Sequence, residues 1–155
     1  MAVSVEQEIL DAVRSGCPDA VQDAKVHRSK RISVYAKVDR FVDVATFLRD
    51  KMGFDHFMTV ACVDYLARKE MEVLYVIWST TKKVLCSLRT AIPRENPTLK
   101  TLIGIWEGAL YHEREVHEMF GVNFEGHPNL SLLLLPEGWD KMPPLRKDFT
   151  PTPPQ

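Results

Sequence analysis

Apolar residues recur along the chain with two distinct periods. Ile9, Leu10 and Val13 repeat at helical spacing between Val5 and Ser15, with Ser4 as an N-cap and Gly16 and Pro18 as stops. Residues 20–28 and then ISVYAKV, 32–38, alternate as strands. Asp39 stands as an N-cap before RFVDVATFLRDKMG. There Phe41, Val44, Ala45, Phe47, Leu48 and Met52 recur helically and Gly53 takes the C′ place. FDHFMTVACVDYLA (54–67), MEVLYVIWST (71–80) and VLCSLRTAI (84–92) read as three strands of a meander joined by the polar links RKE and TKK. PRENPT, 93–98, breaks the sheet with two prolines. The spacing then predicts a helix from Leu99 to Phe120, ended by Gly121. Beyond it little periodicity is left, apart from an apolar knot, LLLLPEGW, at 132–139.

The order is helix, two strands, helix, three strands, helix and tail. It predicts a single α+β domain with a mixed sheet of about five strands and helices mainly on one face. Residues 1–120 are expected to form the α/β domain, and 121–155 a long extended C-terminal tail. The tail is too irregular for a second domain and too apolar to be left in water. It therefore predicts a binding partner.

Composition narrows the classes. The length of 155 residues suits one domain, and 45% hydrophobic with 26% charged residues is ordinary for a globular protein. Twenty basic and 21 acidic groups leave a net charge of -1, which gives no reason to expect a nucleic-acid partner. Cys17, Cys62 and Cys86 are scattered and form no CxxC pair, so no iron–sulfur or zinc motif is expected in this chain. The start lacks the basic and continuous apolar runs of a signal peptide, and no stretch has the length to span a bilayer. A cytoplasmic location is expected. Trp78, Trp106 and Trp139 are expected in core or interface packing. The Lys/Arg groups at 28–31 and 82–83 are expected as turn or edge charges.

The stretch HEREVHEMFGVNFEGHPNL, 112–130, holds three of the five histidines and concentrates the candidate chemistry. A zinc-protease helix needs HExxH, but position 116 is Val, and His117 lies about 140° around the helix from His112 by 3.6-residue geometry. A di-metal ExxH pair fails at Arg114. Pairing of His112 with Glu115 and of Glu113 with His117 would stabilise a helix without catalysis. A stand-alone metal-dependent hydrolase using the HERE segment is the alternative reading. The charged turn nevertheless adjoins Ile103, Trp106 and Leu110 on one side and Met119 and Phe120 on the other. That setting predicts half-buried polar pairs at an interface more than a solvated face.

Glu113-Arg114-Glu115, then Glu118, Met119-Phe120-Gly121, His127-Pro128 and Leu130 resemble the signature of the C subunit of respiratory complex I, the NADH–quinone oxidoreductase. Its relatives include subunits of deazaflavin (F420H2) dehydrogenases and membrane-bound hydrogenases. PEGW (136–139), PLRKDF (144–149), PRENP (93–97) and Ile105-Trp106 resemble further motifs of that family, so the resemblance is close over 93–149. The chain departs from the pattern at Ser131, where the family usually carries a basic residue or proline. The resemblance implies a noncatalytic hydrophilic subunit of a redox-driven ion pump that binds no cofactor itself. It implies iron–sulfur clusters and a quinone-like acceptor in neighbouring subunits. The implied partners are the large quinone-site (D-like) subunit and the B-like and I-like iron–sulfur subunits, with indirect attachment to the membrane. On the resemblance, Glu113, Arg114, Glu115 and Glu118 form an ion-pair network fixing the helix to tail or partner, followed by Phe120 and Gly121. His127 and Pro128 shape the next turn. Trp139 lies in the PEGW motif, and Arg146, Lys147 and Asp148 contact the large subunit.

Overall fold

The computed structural model of the protein describes residues 4–151. Ser4 caps α1 (Val5–Gly16), its hydroxyl accepting the Gln7 N–H at 3.3 Å. Gly16 is the last helical residue and not a stop beyond the helix. A Cβ there would lie 2.3 Å from the ring of Phe47 in α2 (Phe41–Asp50), so this glycine lets the two helices touch. The expected cap at Asp39 is corrected. A 3-10 turn, Val38–Arg40, precedes α2 and puts Arg40 at the N-cap position, where its side chain binds Asp43 at 2.6 Å. Beyond α2, Gly53 takes the left-handed φ of 75°, and Phe54 N–H closes on Leu48 O at 3.0 Å.

The sheet runs β1-β2-β5-β4-β3. Its strands are β1 (Val21–Arg28), β2 (Arg31–Ala36), β3 (His56–Tyr65), β4 (Glu70–Ser79) and β5 (Val84–Pro93). Only β2 and β5 pair in parallel, which makes the sheet mixed. Burial alternates along the central strands, as period-2 geometry requires of a sheet covered on one side. Met71, Val73, Tyr75 and Ile77 of β4 face Ile92, Thr90, Leu88 and Cys86 of β5, all buried. Ile9, Leu10 and Val13 of α1 and Phe41, Val44 and Leu48 of α2 join the same core. So do Ala109 and Val116 of α3 (Ala109–Phe120), and the three helices therefore share one face of the sheet.

The helix expected from Leu99 begins ten residues later, at Ala109. Thr98–Lys100 is instead a short strand, β6, parallel to β7 (Asn123–Glu125), with Leu99 opposite Phe124. Turns follow β6, and they bury Leu102 and Trp106. The Trp106 indole N–H donates to Phe54 O at 2.9 Å. The apolar recurrence at 99–106 is thus a true core signal carried by a strand and turns. Its strand partner lies beyond α3, where local spacing gives no sign of it.

Candidate functional site

The face of α3 away from solvent carries two carboxylates with different work to do. Glu113 is fully buried under the sheet. Its Oε1 accepts from the Tyr75 hydroxyl at 2.7 Å and from Leu102 N–H at 2.8 Å, and its Oε2 from the Thr101 hydroxyl. Burial raises the Glu113 pKa above its ordinary value, against the pull of these donors. The carboxylate thus joins α3, β4 and the turn after β6 at one point. Tyr75 also rests on Phe41 of α2, with ring centroids 5.6 Å apart.

Glu118, further along α3, binds the tail. Its carboxylate accepts the successive backbone N–H groups of Leu133 and Leu134, at 3.0 Å each, and that of Leu135. Such a run of amides makes an anion-binding concavity. Burial works against ionisation here, but the amides of Leu134, Leu135 and Leu133 together hold the Glu118 carboxyl below its ordinary value. Arg114 grips the preceding residues, donating to Ser131 O, to Ser131 Oγ at 2.9 Å and to Leu132 O. The position where the chain departs from the family pattern, Ser131, is therefore a direct partner of Arg114. The turn so held presents Leu132, Leu133 and Leu134 to solvent, and Leu134 is 61% exposed. Met142 and Leu145 are exposed on the same tail.

The end of the tail is clasped at the far end of β3. Asp64, buried in that strand, takes Arg94 in a bidentate pair at 2.7 and 3.0 Å and accepts Lys147 N–H at 2.9 Å. Arg94 also holds Asp148. The Arg94 guanidinium lowers the pKa of both Asp64 and Asp148. Arg146 Nε donates to Phe120 O at 2.7 Å, and Leu145 N–H to Met119 O at 3.0 Å. Gly121, at a left-handed φ of 79°, turns the chain out of α3 beneath Arg146. His127 donates from Nε2 to Leu110 O at 2.9 Å and accepts Asn129 N–H on Nδ1 at 3.1 Å. Trp139 stacks with Phe149 at 6.1 Å, and its indole N–H is buried without an acceptor among the described residues.

The sequence-predicted residues are therefore gathered around α3 and the tail, with three differences in how they engage. Glu113, Arg114, Glu115 and Glu118 make no salt bridge with one another among the described residues. They act mainly on backbone and neutral groups, and Glu115 is exposed. His112 pairs with the Thr59 hydroxyl at 3.2 Å and not with Glu115, and His117 with Val122 O at 2.8 Å and not with Glu113. Pro128 is exposed on the turn. Sequence reasoning missed Tyr75, Thr101 and Asp64. Asp64 did leave a signal, as an acid at an inward position of an apolar strand. His112, Glu113 and His117 each have a separate partner, the Thr59 hydroxyl, the Tyr75 hydroxyl and Val122 O. Burial pushes the Cys62 thiol up to about 12 and raises Cys17 and Cys86 as well, as befits packed side chains.

The family profile described as "Respiratory-chain NADH dehydrogenase, 30 Kd subunit" matches residues 34–155. The C subunit of NADH-quinone oxidoreductase from Roseiflexus sp. strain RS-1 is 41% identical over 143 residues, covering 90% of this chain and 81% of that one. The C subunit of F(420)H(2) dehydrogenase from Methanosarcina mazei is 33% identical over 141 residues, covering 91% and 89%. Among solved structures, a chain of the membrane-bound sulfane sulfur reductase, an archaeal respiratory membrane complex, aligns with a TM-score of 0.83. It is 25% identical, and the alignment covers 92% of this chain and 84% of that one. The trypsin-resistant fragment of Nqo5 aligns with a TM-score of 0.68 at 25% identity, covering 81% and 99%. A profile across most of the length and relatives matched over more than four-fifths of either chain agree. The chain belongs to the family of the respiratory-chain NADH dehydrogenase 30-kDa subunit, the C subunit of complex I-like membrane-bound respiratory complexes.

Proposed function

We propose that the chain is a noncatalytic peripheral subunit of a complex I-like, redox-driven ion pump, and that its tail docks on neighbouring subunits. The reading rests on one observation above all: Arg114 and Glu118 spend their polar groups on presenting Leu132, Leu133 and Leu134 outward. Three consecutive exposed leucines in a rigid turn are costly in water, at about 25 cal/mol per Å² of apolar surface. A partner that covers them removes that cost. The partners fitting this role are the quinone-site large subunit and the iron–sulfur subunits beside it. Iron–sulfur clusters and the quinone-like acceptor belong to those subunits, and this chain holds none.

No helix among the described residues is long and apolar enough to cross a membrane. In this reading, attachment to the membrane runs through other subunits, on the cytoplasmic side. Tagging the chain in its native host, extracting with mild detergent and identifying the co-purifying chains by mass spectrometry tests the reading. The large and iron–sulfur subunits are expected in equal amount with the tagged chain. Recovery of the chain alone from an otherwise intact respiratory complex would overturn it. The donor-side subunit in the same inventory names the reductant: NADH, a deazaflavin, ferredoxin or hydrogen.

A further inference from the structure

One face of the five-stranded sheet lies opposite the helix-bearing core, and its outward positions Leu74, Val76 and Trp78 on β4 are apolar. Cross-strand pairing aligns Arg31, Leu85, Trp78 and His56 in one row, Ser33, Ser87, Val76 and Thr59 in the next, and Tyr35, Arg89, Leu74 and Ala61 in a third. Leu74, Val76, Trp78 and Leu85 alternate with buried neighbours and so point away from the core. They are half-exposed and are not among the partly buried apolar side chains packed against it. Val63 beside them is exposed. A sheet face left to water normally alternates to polar residues. This one carries a tryptophan on β4 and an arginine in the same row, the residue types that anchor interfaces.

The end of this face is strongly basic. Arg28, Lys30, Arg31, Lys82 and Lys83 are all exposed on two adjoining turns, joined where Leu85 N–H meets Lys30 O at 2.9 Å. None of the five makes a salt bridge among the described residues. The nearby acids are engaged with backbone: Glu6 accepts Lys30 N–H at 2.6 Å, and Asp55 accepts Thr80 N–H at 2.9 Å. Lys30 and Lys83 hold left-handed φ values of 61° and 57°, where glycine or asparagine would sit with less strain. Both turn tips thus carry a cation in a conformation that disfavours it.

We propose that this bare face and its basic end form a second docking surface, for another subunit that presents apolar side chains bordered by carboxylates. The inference rests on the chain being a complex subunit, as proposed above. The surface is distinct from the clasp that holds Lys147 and Asp148. The tail is clasped at the Glu70–Pro93 end of the β4–β5 ladder, and the basic turns lie at the Ser79–Val84 end. Strands of ten residues separate the two ends by about 30 Å, at 3.3 Å per residue. The carboxylates would meet Arg31, Lys82 and Lys83, and the apolar groups Leu74, Val76, Trp78 and Leu85.

The experiment places a photo-crosslinking residue at Val76 or, separately, at Leu133 in the tagged chain, within the complex assembled in its native host. Adducts are mapped by peptide mass spectrometry. From position 76 we expect an adduct to one other subunit, on an apolar segment adjoining Asp or Glu. The K82E/K83E variant should lower that yield severalfold, K82R/K83R should retain it, and the position-133 adduct should be unchanged. Adducts from 133 with none from 76, or from 76 only to a second copy of this chain, overturn the second surface and leave the tail docking standing. A position-76 adduct indifferent to K82E/K83E overturns the acidic border. Absence of adducts from both positions removes the docking reading on which the inference rests.

Discussion

Glu113 and Glu118 lie five positions apart on α3, and burial acts on both, yet the balance at each has the opposite sign. At Glu118 the tail amides win, so the carboxyl is held below its ordinary value. Its contribution to holding the tail is complete above the ordinary carboxylate range and is lost as the pH falls through the lowered value. Replacing Glu118 with Ala leaves the N–H groups of Leu133, Leu134 and Leu135 without their acceptor, at about 1–3 kcal/mol. Amide hydrogen exchange is expected to accelerate at these three residues and not in β4. Unchanged protection there would show that something other than Glu118 orders the turn. At Glu113 burial wins, and the folded chain binds this proton more tightly than the unfolded one. Its contribution is complete below the ordinary carboxyl value and falls as the pH rises through the raised one. The variant E113Q keeps an acceptor for Tyr75 and Leu102, lets Thr101 accept, and removes this titration. E113A orphans all three donors and is expected to cost at least about 2 kcal/mol more than E113Q. Urea unfolding of both variants across the acidic range measures the gap and the slope, and equal losses would contradict the bonding described.

Among the elements, the junction of α3 with the tail shows how local chemistry sets a long-range arrangement. Gly121 has a φ of 79°, and a Cβ there would sit 2.9 Å from Arg146 Nη2 and 3.1 Å from Pro143 Cγ. Alanine would meet the left-handed strain, about 1 kcal/mol, and also push the clasp outward. G121A is expected to lower the melting temperature, and R146A to relieve part of that loss when the two are combined. Strictly additive losses would mean that the glycine serves its turn alone. The same elements show where sequence was a sufficient guide. Alternation in β4 and β5 and helical recurrence in α1 and α2 encode each element within itself, and all four were legible. Leu99–Trp106 was not, because β6 is defined by its pairing with β7, and α3 lies between the two. Asp39 failed as a cap because the 3-10 turn ahead of α2 moved the first helical residue past it. The partners of Glu113 were hidden for a related reason. A carboxylate read in its own helix looks solvated until Tyr75, 38 residues earlier, is folded beneath it.

For the molecule as a whole, the tail is held by interactions that leave its leucines unused, and the division has a measurable consequence. Arg114, Glu118, Arg94 and Asp64 reach the tail through backbone groups, the Ser131 hydroxyl and Asp148, while Leu132, Leu133 and Leu134 remain outside the core. A substitution at those leucines should therefore separate folding from assembly. The double variant L133E/L134E keeps all three backbone amides that Glu118 accepts, and its new side chains face water. Exposed substitutions of this kind change stability by about 0.5 kcal/mol or less. The isolated variant is expected to unfold at nearly the wild-type denaturant midpoint. In the host, two charges placed where the proposed partner covers apolar surface would be desolvated without counter-charges, which is far more costly than the loss of two leucines. Co-purification of the large and iron–sulfur subunits with the tagged variant should then collapse, while L133M/L134M, which keeps the surface apolar, should restore it. If the glutamate variant folds and still assembles in full, the leucine turn is no docking element, and the purpose of Arg114 and Glu118 must be sought within the chain itself.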